Sequence, residues 1–428
     1  MILDLLPEVL EHVRFGAVCK YWYAISNQYH KQRHGPYHRR ALPMLLIRSP
    51  NASAEHDPPQ LYALSCLGEY YPNLNHHPLP FTRFRYCGSS NGWLATQNQD
   101  FTVTLLYPFA AGGQLVTVHL PALDTLVIKH PDFLITKLIV SPESTPDDYT
   151  VIAIYGDMKK MATIKSGEDS WFCLMAPRLA FRDVIFHRKR IYAIDNFLVV
   201  VKLDVESRPP RFKTLYSPGQ LFRYWGTYIV ESSSSEIYLL GRAYDVNSDD
   251  EDELGNQEEE EADDENEEEY DDDSVDTDDD HNQEDEEVTD DEDEEGENLY
   301  YNECHTIKFD VYKLKLRNRT SGNMLEKQND LGGDAFFVGE CESTSFPATR
   351  FPGCKPNSIY FTDDLIDCWR YQHGIPEDIG CYNVEDGSID RFYDINACDR
   401  SKMLQPIWIL PKRHHHTNTH YHYKSHVE

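Results

Sequence analysis

Few residues of this chain have the types and spacing for bond chemistry, and those few stand far apart. Asp363-Asp364, with Asp367 three residues on, is the densest carboxylate group outside one acidic run. Adjacent aspartates on extended or turn backbone point in different directions, so they do not converge on one metal or one reacting atom. The pair stands where a tight turn is expected, and a turn role is the reading it supports. Cys304-His305 precedes a strand-like run and has no partner at metal-ligand spacing. Cys354 lies between breaker residues, Pro352-Gly353 and Pro356-Asn357, with no base beside it to activate a nucleophile. The ten cysteines contain no C-x-x-C pair, which is neither a zinc pattern nor a small disulfide framework. The tail 411–428 carries His414, His415, His416, His420, His422 and His426. Clustered imidazoles take up nickel, copper or zinc without a folded site, so the tail reads as disordered with adventitious metal affinity. A phosphate-cradling glycine loop, a Ser-His-Asp signature and a zinc motif are all missing. The sequence nominates no catalytic residue, no cofactor and no resident metal.

Charge is concentrated in one place. The formal net charge is −33, yet 33 of the 73 Asp and Glu lie between residues 249 and 297, which hold no Lys or Arg. The other 40 acids match the 40 Lys and Arg, so the rest of the chain is formally neutral. Residues 248–298 carry only Leu254, Tyr270, Val275 and Val288 as large apolar side chains. Like charges this dense repel, and so little apolar surface cannot offset the entropy of ordering. A disordered acidic loop is expected, either a polyanion for Lys-rich partners or a solubilising insertion. It repels phosphates, so direct nucleic-acid binding is not expected. No apolar run approaches the roughly 20 residues of a membrane span, and Met1 leads into an amphipathic segment rather than a signal peptide. These features predict a cytoplasmic or nuclear protein without a membrane partner. Asn51 and Asn318 match the glycosylation pattern and read as chance.

The elements that must carry any site are short strands. Residues 28–60 read as a linker that includes Leu42-Pro43-Met44-Leu45-Leu46-Ile47 as the first buried strand. From Leu61, apolar runs of five to seven residues alternate with turn clusters. Five groups emerge: Gly92 to Thr96, Phe101 to Tyr107 and Gln114 to Leu120; Thr150 to Tyr155, Lys160 to Ile164 and Trp171 to Leu174; Arg182 to Phe186, Arg190 to Ile194 and Leu198 to Leu203; Thr227 to Val230, Glu236 to Arg242 and Thr306 to Leu316; Ala335 to Val338, Asn357 to Phe361 and Gly380 to Asn383. Three or four strands per group, repeating at about 40 to 50 residues, suit a β-propeller of about five or six blades. A sandwich shows similar short strands. The acidic insertion falls between two strands of one group, where a long loop adds little closure entropy.

The wording of several segments is more specific than their physics. Phe351-Pro352-Gly353-Cys354-Lys355-Pro356-Asn357-Ser358-Ile359-Tyr360-Phe361-Thr362-Asp363-Asp364 resembles the signature near the end of the KIB-type β-propeller domain, found mainly in plant F-box proteins. Ser90-Asn91-Gly92-Trp93-Leu94, Phe181-Arg182-Asp183-Val184 with Ile191-Tyr192-Ala193-Ile194-Asp195, and Tyr228-Ile229-Val230-Glu231-Ser232 resemble earlier segments of that domain. Phe309 to Leu314 and Leu331 to Gly339 resemble the next two. The six pieces come in order across about residues 60 to 400. The resemblance implies a mainly β, β-propeller domain over 61–410, interrupted at 248–298.

Residues 1–27 repeat apolar side chains at helical spacing: Leu3, Leu6, Leu10 and Val13, then Val18, Trp22 and Ile25. Leu5-Leu6-Pro7-Glu8-Val9-Leu10 and Val18-Cys19-Lys20-Tyr21-Trp22 resemble the opening and closing motifs of an F-box, the helical module that docks on a Skp-type adaptor. The spacing is short for a whole F-box. Either the middle is deleted, or Leu6 to Trp22 aligns without gaps to the second half and the first helix lies upstream of Met1; the smooth register over 9–19 favours the latter. The resemblance implies that Leu6, Pro7, Leu10, Val13, Val18 and Trp22 face the adaptor; packing on the propeller is the structural alternative. His30 to Arg40, rich in Lys, Arg and His, reads as a solvated connection.

The resemblance implies a non-enzymatic, substrate-recruiting subunit of a Skp–cullin–F-box ubiquitin ligase, with the propeller holding an unknown protein target. An orphan propeller with a non-functional F-box is the alternative. A propeller oxidase of the copper-radical type is a third reading, which the missing signal peptide and unmatched ligand spacing count against.

Overall fold

The computed structural model describes residues 18–22, 25, 44–47, 60–64, 70–71, 85–98, 100–107, 116–123, 134–142, 144–156, 158–176, 178–218, 224, 226–245, 305–316, 324–350, 354–362, 364, 378–391 and 407–409. The acidic insertion, the His-rich tail and most of the 28–60 linker lie outside the described residues.

Strands fall into six sheets among the described residues. The first holds β1 (Met44–Ile47), β2 (Gln60–Leu64) and β3 (Tyr70–Tyr71). The second is β4 (Arg85–Ser90), β5 (Trp93–Gln97), β6 (Val103–Tyr107) and β7 (Val116–Leu120). The third is β8 (Ile135–Val140), β9 (Thr150–Tyr155), β10 (Lys160–Lys165) and β11 (Phe172–Cys173). The fourth is β12 (Phe181–His187), β13 (Arg190–Asp195), β14 (Val200–Asp204) and β15 (Arg211–Tyr216). The fifth is β16 (Gly226–Glu231), β17 (Ile237–Asp245), β18 (His305–Leu314) and β19 (Leu325–Gln328). The sixth holds five strands: β20 (Asp334–Val338), β21 (Thr344–Pro347), β22 (Ser358–Phe361), β23 (Gly380–Asn383) and β24 (Ile389–Arg391). The last strand, β25 (Ile407–Ile409), returns to the first sheet and pairs antiparallel with β1, Leu45 opposite Trp408.

Sheets two to five are antiparallel meanders in chain order, as the propeller reading requires. Their hairpins follow local rules. Asn91 and Gly92 join β4 to β5 with φ of 51° and 84°, the left-handed pair that a two-residue hairpin of matching twist needs. The sixth sheet departs from the meander. There β20 pairs parallel with β22, and β21 lies outside it on the inner edge.

The central strands of sheets two to six pack against neighbouring sheets on both faces, which explains why they are apolar along most of their length and not alternating. The core is correspondingly divided into interblade layers. Trp93, Val103 and Leu105 of sheet two meet Leu138, Val151 and Ala153 of sheet three. Ile139, Ile152 and Met161 meet Val184, Ala193 and Val201. Ile185, Tyr192 and Val200 meet Ile229, Leu239 and Leu314. Tyr228, Leu240 and Val311 meet Phe336, Ile359 and Phe361. Closure falls to Trp408, fully buried, with its ring edge-on to Phe337 at 5.4 Å and to Tyr360 at 6.4 Å.

A three-residue strand that closes a ring owes its place to that indole. Trp408→Ala should cost about 3–5 kcal/mol, the usual range for emptying a buried aromatic site. Equilibrium urea unfolding of the full chain measures it as a lowered midpoint at unchanged m-value.

Candidate functional site

Two regions bear on function: the motif at the amino-terminal end and the propeller axis. Of the six adaptor-facing residues expected from the sequence, Leu6, Pro7, Leu10 and Val13 lie outside the described residues. Val18 and Trp22 are described. Lys20–Trp22 forms a helical turn, with Val18 62% exposed, Tyr21 75% and Trp22 38%. Large apolar side chains are thus exposed over the described residues 18–22.

The axis is polar, and its most deeply buried carboxylate is fully hydrogen-bonded. Asp183, the third residue of β12 and just past the bulge at its start, is fully buried. Its Oδ1 accepts from Lys137 Nζ at 2.6 Å and from the Val184 amide at 2.8 Å. Its Oδ2 accepts from the Ile229 amide at 3.0 Å and from Ser343 Oγ at 2.5 Å. Burial pushes the Asp183 carboxyl up, against the pull of Lys137, Ser343 and Ile229. One carboxylate therefore joins β8, β12, β16 and the segment that precedes β21.

That segment, 339–343, crosses the axis and is buried from Glu340 to Ser343 apart from a partly exposed Glu342. It starts at Gly339, φ 146°, where a Cβ would stand 2.0 Å from Thr362 Oγ1, so only glycine fits. The Glu342 amide donates to the Ser89 carbonyl at 2.8 Å. Glu342 Oε2 accepts from Ser90 Oγ at 2.9 Å and Asn91 Nδ2 at 3.1 Å. Asn91 Nδ2 also reaches the Val140 carbonyl at 2.9 Å. Ser345 Oγ donates to the Glu231 carbonyl at 2.7 Å. A strand that leaves the regular meander thereby fills the centre of the ring.

At the end where β8, β12 and β16 begin, a cavity of about 40 Å³ opens, lined by Thr136, Lys137, Lys159, Arg182, Glu340 and Asp364 among others. Drug-sized and cofactor pockets run to about 300–1,000 Å³. This mouth has room for a few waters or one side-chain head. Asp364 is held by Arg242, completely buried, whose Nη1 lies 3.1 Å from Asp364 Oδ1 and donates to Tyr228 Oη at 3.0 Å and the Thr362 carbonyl at 2.8 Å. Arg242 Nη2 donates to Asp378 Oδ2 at 2.9 Å. Asp378 Oδ2 also accepts from the Thr306 amide at 2.7 Å, and its Oδ1 pairs with Arg391. The guanidinium ties β17 to the chain following β22. Asp364, expected in a turn role, thus also neutralises a buried cation; Asp363 and Asp367 lie outside the described residues.

Bond chemistry finds little purchase here. Burial pushes the Cys341 thiol up to about 12 and Cys381 up to about 11, so both stay protonated at neutral pH. Cys354 packs against the core layer around Trp408. Among the described residues no three His, Cys, Asp or Glu converge on a point that could hold a metal. Sequence reasoning missed Lys137, Arg242 and Asp378. The first two carried a signal: each is a charge inside an otherwise apolar strand.

A family model described as a KIB1-4 beta-propeller matches residues 63–383. A protein of Arabidopsis thaliana, "Putative F-box protein At5g55150", is 26% identical over 168 residues, 38% of this chain and 46% of that protein. The chain thus spans about half the length of the curated relative it matches. Among solved structures, the Dos1 propeller aligns at 13% identity over 43% of this chain and 47% of its own, TM-score 0.28. YCF48 bound to D1 peptide aligns at 12% identity over 48% and 77%, TM-score 0.27. At such scores the structural likenesses carry no argument.

Two substitutions test the buried charges. Asp183→Ala strands Lys137 in the core and should cost about 3–5 kcal/mol in urea unfolding. Asp378 behaves oppositely with pH. Burial raises its carboxyl, but Arg242, Thr306 and Arg391 together hold it below the usual carboxylate range. Its contribution is whole above the unfolded pKa of about 3.9 and is lost as pH falls through the lower folded value. Asp378→Asn should therefore flatten the loss of stability between neutral pH and the acid limb, read as urea midpoints against pH.

Proposed function

The chain belongs to the KIB1-4 β-propeller family, and from that footing we propose that it is a non-catalytic, substrate-recruiting subunit of a Skp–cullin–F-box ubiquitin ligase. The fold and the F-box relative support a protein-interaction module. The finer reading rests on one observation: Val18, Tyr21 and Trp22 stand exposed in the segment that resembles the closing F-box motif, ahead of the propeller. Apolar side chains held in water on a helical turn are what an adaptor groove covers.

On this reading the propeller does no bond chemistry. It holds a target so that lysines of that target stay near a ubiquitin-charged enzyme, and the gain is effective concentration. The axial cavity, about 40 Å³, is far smaller than a cofactor pocket, which fits that role. The protein works in the cytoplasm or the nucleus, where such ligases act.

Capture by an immobilised plant Skp adaptor tests the reading. The full chain should be retained. Val18→Asp with Trp22→Ala should lower retention at least about tenfold, as expected for loss of central apolar anchors, with the thermal midpoint of the propeller unchanged. A full chain that is not retained, or a double variant retained equally, would give the lead to an orphan propeller that binds partners without delivering them.

A further inference from the structure

The last strand of a propeller blade leaves one row of backbone amides and carbonyls without a sheet partner. Among the described residues the outer strands of sheets one to six are β3, β7, β11, β15, β19 and β24. β3 and β11 have two residues each, β24 three, β19 four and β7 five. β15 has six, Arg211-Phe212-Lys213-Thr214-Leu215-Tyr216. Charge separates it further. β3, β7 and β11 hold no Lys, Arg, Asp or Glu. On β19, Glu326 pairs with Lys315 and Lys327 with Asp310. On β24, Asp390 pairs with Lys355 and Arg391 with Asp378. Arg211 and Lys213 of β15 are exposed and form no ion pair among the described residues.

The register places more charge of the same sign beside them. Lys202 opposes Lys213 and Asp204 opposes Arg211. Ile191 opposes Leu203, so Arg190 stands next to Asp204 in the adjoining row. Side chains alternate along a strand, so Arg190, Lys202, Asp204, Arg211 and Lys213 share one face of sheet four, the face that meets sheet five through Ile185 and Tyr192. Arg188 and Lys189, both exposed, extend the charge in the turn before Arg190. Asp204 is the single carboxylate in this set, and it already accepts from the amides of Glu206 at 3.1 Å and Ser207 at 3.4 Å. The other acids of the sheet do not reach the set: Asp183 and Asp195 are buried, and Glu206 pairs with Lys165. Acids from sheet five are also taken, Glu236 by Lys313 and Glu326 by Lys315. On the opposite face of β15, Phe212 is half-buried against the layer between sheets three and four.

These features select the kind of partner. Cations on an edge guard it against pairing with a second copy of itself, and the same charges attract a strand of opposite sign. A phosphate polymer is held by cations together with exposed aromatic rings that stack on bases, and a lipid surface by apolar side chains that enter it. None of the large apolar side chains left exposed among the described residues lies in sheet four. A free ladder edge with cations two residues apart, about 7 Å, matches instead the repeat of an extended peptide.

We propose that the outer edge of β15 takes an extended segment of a target protein as an added strand, with Asp or Glu at two alternate positions against Arg211 and Lys213 and an apolar residue between them against Phe212. The proposal rests on the recruiting role given above and names the chemistry of the segment recruited. Main-chain hydrogen bonds supply the attachment, and the cross-strand charge pairs supply the choice of sequence.

The full chain is titrated against a fluorescein-labelled synthetic peptide, Thr-Glu-Val-Glu-Val-Glu-Thr, and binding is read by anisotropy. Binding that weakens with added salt is expected. A peptide of equal composition without the alternation, Val-Val-Thr-Glu-Glu-Glu-Thr, should bind several-fold more weakly. Arg211→Glu with Lys213→Glu should weaken the alternating peptide at least about tenfold and admit its counterpart with Lys in place of Glu. Arg211→Gln with Lys213→Gln, milder at the same exposed positions, should give an intermediate loss, with the thermal midpoint of the propeller unchanged. Lys160→Gln, an exposed cation of β10, should change nothing. No binding, equal binding of the two acidic peptides, or binding indifferent to both double variants would overturn the proposal. So would a single-stranded DNA oligonucleotide or phosphatidylserine vesicles that displace the peptide and bind with the same dependence on Arg211 and Lys213. Adaptor capture is measured on the same variants. Peptide binding absent with capture intact locates the failure in the β15 edge; capture absent with peptide binding intact locates it in the ligase reading and leaves the edge standing.

Discussion

The Asp183 carboxylate is the constraint on which the centre of this molecule depends. A ring of sheets brings its inner strands together at an axis, and those strands arrive with polar groups that have no access to bulk water. Burying an unpaired charge there costs several kcal/mol. The chain meets that cost by full satisfaction: Lys137, Val184, Ile229 and Ser343 all donate to one side chain. Three inner strands and the crossing segment are thereby held at one spacing. A purely apolar axis would pack as well in principle, but it would not single out which strand faces which, and the parallel β20–β22 pairing shows how far the sixth sheet departs from the regular pattern.

The second constraint is Arg242, which repeats the same logic one sheet further round. Its guanidinium reaches Asp364, Asp378, Tyr228 and the Thr362 carbonyl, and its face lies 4.7 Å from the Phe361 ring centroid. Strands on either side of the acidic insertion are tied to the body at this point, through Arg242 on β17 and Thr306 on β18. A chain interrupted by a long charged segment gains from such an anchor, since the two flanking strands must find each other across the insertion. The pairing of Asp245 with His305 shows that they do.

The middle strands of each sheet were legible because they are apolar on both faces and end in turn residues. Ile191 to Ile194 and Ile237 to Leu240 need nothing more. The inner strands were harder. Arg85–Ser90 and Ile135–Val140 fall outside the strand groups read from the sequence, the first largely polar and the second interrupted by Lys137, because the axis selects groups that hydrogen-bond across it. Ile407–Ile409 is too short for periodicity, and its role follows only from closure against β1. Outer strands such as Arg211–Tyr216 and Leu325–Gln328 face solvent and lack the apolar run. At the candidate site, Asp183 and Asp364 both lie in segments whose wording carried the family resemblance, while their roles as buried counter-charges depend on partners 46 and 122 residues away. No local pattern encodes such a pairing.

On the proposed reading, function is divided between one helical motif for an adaptor and the propeller for a target. The measurement that tests the central claim most directly is light scattering of the full chain mixed with a plant Skp adaptor during size-exclusion chromatography. The account predicts a single species with the summed mass of one copy of each. Two species at their separate masses, at concentrations where the propeller is folded, would contradict it.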